Sequence, residues 1–85
     1  MARYRITIKK SAAKELEDIP KKDLAKIVKR IQSLGRSQRP HGCQKLSGQN
    51  RLRIRHRDYR IIYSIDDKDC VVNIVKIGHR REIYR

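Results

Sequence analysis

Tyr59-Arg60-Ile61-Ile62-Tyr63-Ser64-Ile65, then Asp66-Asp67-Lys68-Asp69, then Cys70-Val71-Val72-Asn73-Ile74-Val75-Lys76-Ile77 follow one another without a break. Successive side chains of a β-strand point to opposite faces, so the first piece sets Tyr59, Ile61, Tyr63 and Ile65 on one side and reads as a half-buried strand. The third piece is nearly all apolar, as a strand in the middle of a sheet is. Four polar residues between them suit a tight turn. The stretch therefore predicts an antiparallel pair at the heart of a sheet.

Just upstream, Arg51-Leu52-Arg53-Ile54-Arg55-His56-Arg57 repeats arginine at every second place. As a strand over about 51–57 it stands Arg51, Arg53, Arg55 and Arg57 in one row, neighbours roughly 7 Å apart, with Leu52, Ile54 and His56 facing the other way. The apolar side can bury and the arginine side cannot. Ser47-Gly48-Gln49-Asn50 before it reads as a turn. Residues 51–77 thus predict a three-strand antiparallel meander.

The first half of the chain supplies the cover. Residues 3–9 alternate, with Tyr4, Ile6 and Ile8 on one side and Arg3, Arg5, Thr7 and Lys9 on the other, as a half-buried strand does. Ser11 offers an N-cap for a helix to about Asp18 that lines up Ala12, Leu16 and Ile19. Pro20 marks a new start. Leu24, Ile27, Val28, Ile31 and Leu34 then fall on one stripe of a second helix, opposite Lys21, Lys22, Lys26, Lys29 and Arg30, with Asp18 and Asp23 at its start and Gly35 at its C′ end. Residues 36–42, with Pro40 and Gly42, read as a loop. The expected fold is α+β: strand, two-helix hairpin, then a three-strand antiparallel meander, helices on one face of the sheet, as a single domain over 1–85.

A chain of 85 residues can bury only a thin core. Its 23 Lys and Arg against 9 Asp and Glu give a net charge of +14, which repels itself in the folded monomer and points to a polyanionic partner, nucleic acid before an anionic membrane or an acidic protein tail. No apolar run reaches the ~20 residues of a membrane span, and Met1-Ala2-Arg3-Tyr4-Arg5 lacks a signal peptide's apolar core, so a cytoplasmic location without membrane partners is expected. Cys43 and Cys70 are far apart, with no second Cys or His at zinc-ligand spacing, and neither metal nor cofactor is expected.

Polar groups that the core does not require collect in three places: the arginine row, Arg60, and the terminus Gly78-His79-Arg80-Arg81-Glu82-Ile83-Tyr84-Arg85. In an antiparallel sheet the beginning of the row and the residues after Ile77 are expected to approach one another, with Arg60 reachable from both. Cleavage of RNA asks for these types. Arginine stays charged and grips phosphate oxygens bidentately, which suits it to the negative charge of the phosphorane, while its high pKa unfits it to take a proton from the 2′-hydroxyl. His79 can exchange a proton near neutral pH, and Tyr84 can protonate a leaving oxygen if cations lower its pKa. Plainer readings stand beside these: a solvated strand face for the arginines, a surface or capping residue for His79, a chain-end anchor for Tyr84. His41, in the Pro40-Gly42 loop, and His56, on the apolar side, are weaker candidates.

At these residues the chain resembles the RelE-type toxins of the RelE/ParE toxin–antitoxin superfamily. The resemblance runs through Tyr4-Arg5-Ile6, Lys9-Lys10-Ser11-Ala12, Glu15-Leu16, Pro40-His41-Gly42-Cys43-Gln44-Lys45-Leu46, Arg53-Ile54-Arg55, Asp58-Tyr59-Arg60-Ile61-Ile62-Tyr63, Gly78-His79-Arg80 and Tyr84, which is almost the whole chain. It implies a small α+β toxin of a type II system, restrained by a cognate antitoxin, that cuts messenger RNA in the ribosomal A site without metal through attack of the 2′-hydroxyl. It further implies that Arg60 and Arg80 hold the scissile phosphate, that Tyr84 serves proton transfer or stacking, and that Arg53 and Arg55 replace a pair that is lysine in some members. If a lysine is the base elsewhere, Arg55 is a poor substitute, and either His79 takes the proton or catalysis rests on positioning and charge with the ribosome's help. The expected site comprises catalytic Arg60, His79, Arg80 and Tyr84, with RNA bound by Lys45, Arg51, Arg53, Arg55, Arg57 and Arg81. Retention of Arg60, His79, Arg80 and Tyr84 favours this branch over the ParE-type gyrase inhibitors; a basic nucleic-acid-binding module without activity is the third alternative.

Overall fold

A computed structural model describes residues 3–46, 48 and 50–79. The chain runs β1 (Arg5–Ile8), α1 (Lys10–Glu17), α2 (Lys21–Ser33), β2 (Gln44–Lys45), β3 (Leu52–His56), β4 (Tyr59–Asp66) and β5 (Val71–His79). One sheet of order β1-β5-β4-β3-β2 contains all five strands. The meander β3-β4-β5 is antiparallel as expected, and β1 lies parallel to β5, an arrangement that the two intervening helices make possible by carrying the chain across. The two-residue β2 is an addition to the expected order: it pairs Gln44 with Arg53 and Lys45 with Leu52, too short a segment to show a periodicity.

One face of the sheet is dry. Ile54, Ile61, Tyr63, Val72, Ile74 and Ile77 are buried there with Ala12 and Ile19 from the first helical segment and Ile27, Ile31 and Leu34 from the second. The stripe on α2 meets this face, while Lys21, Lys22, Lys26 and Lys29 stay exposed. Tyr63 is fully buried, and its hydroxyl donates to the Gln38 carbonyl at 2.8 Å, so a phenol in the core has its polar atom satisfied. Burial, with the neighbouring Cys43, pushes its pKa above the ordinary value.

Some local expectations are corrected. The N-cap of α1 is Lys9, without a side-chain cap bond, and Ser11 lies inside the helix. Asp18 is the C-cap of α1, leaving Asp23 alone in the first turn of α2. Gly35 does follow the C-cap of α2, but its φ is not positive; it is needed because a Cβ there would stand 3.0 Å from the Tyr4 carbonyl, where β1 begins. Tyr4 N–H donates to the Gly35 carbonyl at 2.8 Å, so helix end and strand start are joined backbone to backbone. Ahead of β1, the Tyr4 hydroxyl donates to Asp67 at 2.7 Å and Arg39 pairs with the same carboxylate at 3.0 Å.

β5 carries one irregularity. Ile62 pairs with Lys76 and Tyr63 with Ile74, so Val75 is an extra residue, a bulge, in the longest strand.

Candidate nucleic-acid interface

The far face of the sheet is polar, and the registers show which side chains share it. Partners directly across an antiparallel ladder point to the same side. Ile54, Ile61 and Ile77 make one row, all buried on the helix side. The next row, Arg55, Arg60 and Gly78, must then point the other way, and so must Arg53, Ile62 and Lys76 two residues along. Arg53, Arg55, Arg60 and Lys76 therefore stand together on the open face. Arg60 is buried, 6% exposed, whereas Arg55 and Lys76 are exposed.

At the β2 margin of this face a groove of about 350 Å³ is lined by Arg30, His41, Gly42, Gln44, Arg53 and Arg55. Arg53 donates to the Gln44 carboxamide, which steers its guanidinium along the groove wall. Three arginines from α2 and β3 thus border one concavity, suited to an anion whose oxygens can take bidentate bonds. On the other margin Lys14, Glu15, Arg51, Ile62, Val75 and Lys76 line part of a wider cleft of about 720 Å³ between α1 and the sheet. Glu15 accepts a hydrogen bond from the Ile77 N–H at 3.2 Å, closing the stretch of β5 that β1 is too short to pair.

The expected site residues separate. Arg53, Arg55 and Arg60 come together. Arg51 lies just outside β3, at the wider cleft, so it is the end of the arginine row that meets Arg60 and Gly78, not its beginning. Arg57 leaves the row altogether: with Asp58 it forms the two-residue turn between β3 and β4 and takes φ +54°. Lys45 pairs with Leu52 and so faces away from Arg53. His79 pairs with Tyr59, which pairs with His56, and this row lies on the helix side. There the His79 ring meets Tyr59 edge-on at 5.7 Å between centroids, with the Asp58 carboxylate 4.0 Å from its Nε2. His79 is thus on the opposite face from Arg60. Arg80, Arg81 and Tyr84 lie outside the described residues.

Sequence reasoning missed Arg30, Gln44 and Lys76 as neighbours of the arginines. The contribution of Arg30 depends on helix placement, and that of Lys76 on the bulge, so neither has a local signal. His41, weak in the sequence, lies in the groove. Among the described residues, no group of three or more His, Cys, Asp or Glu is placed to hold a metal ion, and no helix is long and apolar enough to cross a membrane.

The chain matches the family described as ParE toxin of type II toxin-antitoxin system over residues 6–84. No curated protein is similar enough by sequence to match it. Among solved structures, the archaeal RelE–RelB complex from Pyrococcus horikoshii OT3 shares 31% identity at a TM-score of 0.83, over 94% of this chain and 98% of that one. The toxin–antitoxin complex RelBE2 from Mycobacterium tuberculosis shares 26% identity at a TM-score of 0.81, over 92% and 99%. The isolated E. coli RelE toxin shares 26% identity at a TM-score of 0.79, over 95% and 90%. Sequence family, strand order and structural neighbours agree: the chain belongs to the RelE/ParE superfamily, as a toxin of a type II toxin–antitoxin system.

Proposed function

We propose that this toxin is a metal-independent endoribonuclease that cuts messenger RNA in the ribosomal A site and is held in check by a cognate antitoxin. The observation that carries the reading is the convergence of Arg53, Arg55 and buried Arg60 on one open sheet face. A phosphodiester on that face meets guanidinium groups, with Gly78 beside Arg60 leaving the surface low. The 2′-oxygen attacks phosphorus, the 2′-hydroxyl proton goes to a base, the phosphorane's charge is met by the arginines, and the 5′-oxygen leaves and is protonated. A 2′,3′-cyclic phosphate and a 5′-hydroxyl result. Arg60 is the residue chosen for charge stabilisation, because a guanidinium kept from bulk water acts at low dielectric. Arg80 and Tyr84 keep their roles in this proposal through the resemblance.

The complexes of RelE with RelB among the neighbours support an antitoxin partner. The ParE name of the matching family favours a second reading, inhibition of DNA gyrase without cleavage. Translating ribosomes with a defined A-site codon separate the two: the nuclease leaves a cut message ending in a cyclic phosphate, and Arg60→Ala abolishes it by 100-fold or more. Full cleavage by Arg60→Ala, or intact message alongside a block of gyrase supercoiling by wild type, would overturn the nuclease reading.

A further inference from the structure

RNA cleavage by 2′-hydroxyl attack needs a proton acceptor, and the charged side chains that the β3–β4–β5 registers gather around Arg60 are Arg53, Arg55 and Lys76. Arginine does not give up its proton in proteins. Of the three histidines, His56 and His79 belong to the row that faces the helices, separated from Arg60 by the sheet itself. His41 alone lies with the arginines, in the groove it shares with Arg30, Arg53 and Arg55.

Its place along the sheet is specific. Gln44 pairs with Arg53, and the turn just before it, His41-Gly42, lines the same groove as Arg55, which pairs with Arg60. His41 thus lies in the groove beside Arg55, from which the row runs across the sheet through Arg60 to Gly78. A phosphate held by Arg55 and Arg60, which stand on adjacent strands about 4.8 Å apart, therefore borders the groove that His41 lines. His41 is exposed, so a bound RNA can meet it. The charged groups lining the same groove are Arg30 from α2 and Arg53 and Arg55 from β3; Gln44 from β2 is neutral, and no carboxylate is among them.

We propose, on the nuclease reading above, that His41 is the general base. Its ring nitrogen lone pair takes the 2′-hydroxyl proton while the 2′-oxygen to phosphorus bond forms; the phosphorus to 5′-oxygen bond breaks, and the 5′-oxygen leaves with that electron pair and takes a proton from water. Imidazole is suited to this because its ordinary titration falls near neutral pH.

The test is single-turnover cleavage of a message on translating ribosomes across pH, with wild type, His41→Ala, His41→Gln and Arg60→Ala. His41→Ala and His41→Gln are expected to cut about 10²- to 10⁴-fold more slowly, to lose the acidic limb of the pH–rate profile, and to keep ribosome affinity within about twofold. Added imidazole should restore part of the His41→Ala rate and none of the Arg60→Ala rate. Cleavage by His41→Ala within twofold of wild type would overturn the assignment and leave the nuclease reading intact, and so would a slowed variant with an unchanged acidic limb and no rescue. Absence of any cleavage by wild type would overturn both.

Discussion

Arg57 shows at the scale of one residue how a side chain's type and its position can disagree. The φ of +54° puts a β-carbon in the left-handed region, which glycine enters at little cost and other residues at about 1–2 kcal/mol. Arg57→Gly is expected to raise stability by up to about 1 kcal/mol in urea denaturation, with message cleavage changed less than threefold, since the turn holds this arginine off the open face. Tyr63 makes the opposite case. Tyr63→Phe keeps the packed ring but leaves the Gln38 carbonyl without its 2.8 Å donor, a loss of about 1 kcal/mol. The raised phenol pKa means that the folded state holds this proton more tightly than the unfolded chain. Its contribution is complete below the unfolded value of about 10 and lost as pH rises above it, so wild type should shed stability more steeply than Tyr63→Phe on titration past that point.

At the scale of elements, the Tyr4, Asp67 and Arg39 side chains tie the start of β1, the loop after α2 and the turn between β4 and β5. The Tyr4 hydroxyl bond, then Arg39, hold the Asp67 carboxyl below its ordinary pKa. The stabilisation is therefore present above the unfolded value of about 3.9 and disappears as pH falls through the lower folded value. Asp67→Asn should melt below wild type at pH 7 and converge with it in acid, a comparison made by thermal melts across pH. Glu15 offers a sharper test. Glu15→Ala should speed hydrogen exchange at Ile77 N–H well beyond its effect on neighbouring β5 amides, because it removes the acceptor on an edge that β1 leaves open. Elements with strong periodicity were legible from the sequence: α2 through Leu24, Ile27, Ile31 and Leu34, β4 through alternation from Tyr59 to Ile65. β2 was not, since two residues have no period, and the ends of β3 were not, since its arginine alternation runs on into a turn whose backbone geometry is invisible to a count by twos.

For the whole molecule, charge and faces decide more than any contact. Arg53, Arg55 and Lys76 share the open face, so each substitution by alanine should weaken RNA binding and lower the slope of log affinity against log salt by about one, whereas Lys45→Ala should change it less. A net charge of +14 was readable from composition, and the sheet's apolar side from the alternation in its strands. Which histidine accompanies the arginines was not readable. His41 gains its place from a two-residue strand, and His79 loses its own to the extra residue at Val75. That bulge acts as a change of parity along the strand. Before it, even-numbered β5 residues such as Val72 and Ile74 serve the core; after it, the odd-numbered Ile77 and His79 do. Were Val75 instead taken into the ladder opposite Ile62, everything downstream would exchange sides, turning Ile77 out to water opposite Arg60 and His79 toward the arginines. Holding Val75 outside the ladder thus fixes which side of the sheet every later residue of β5 serves, independently of what those residues are.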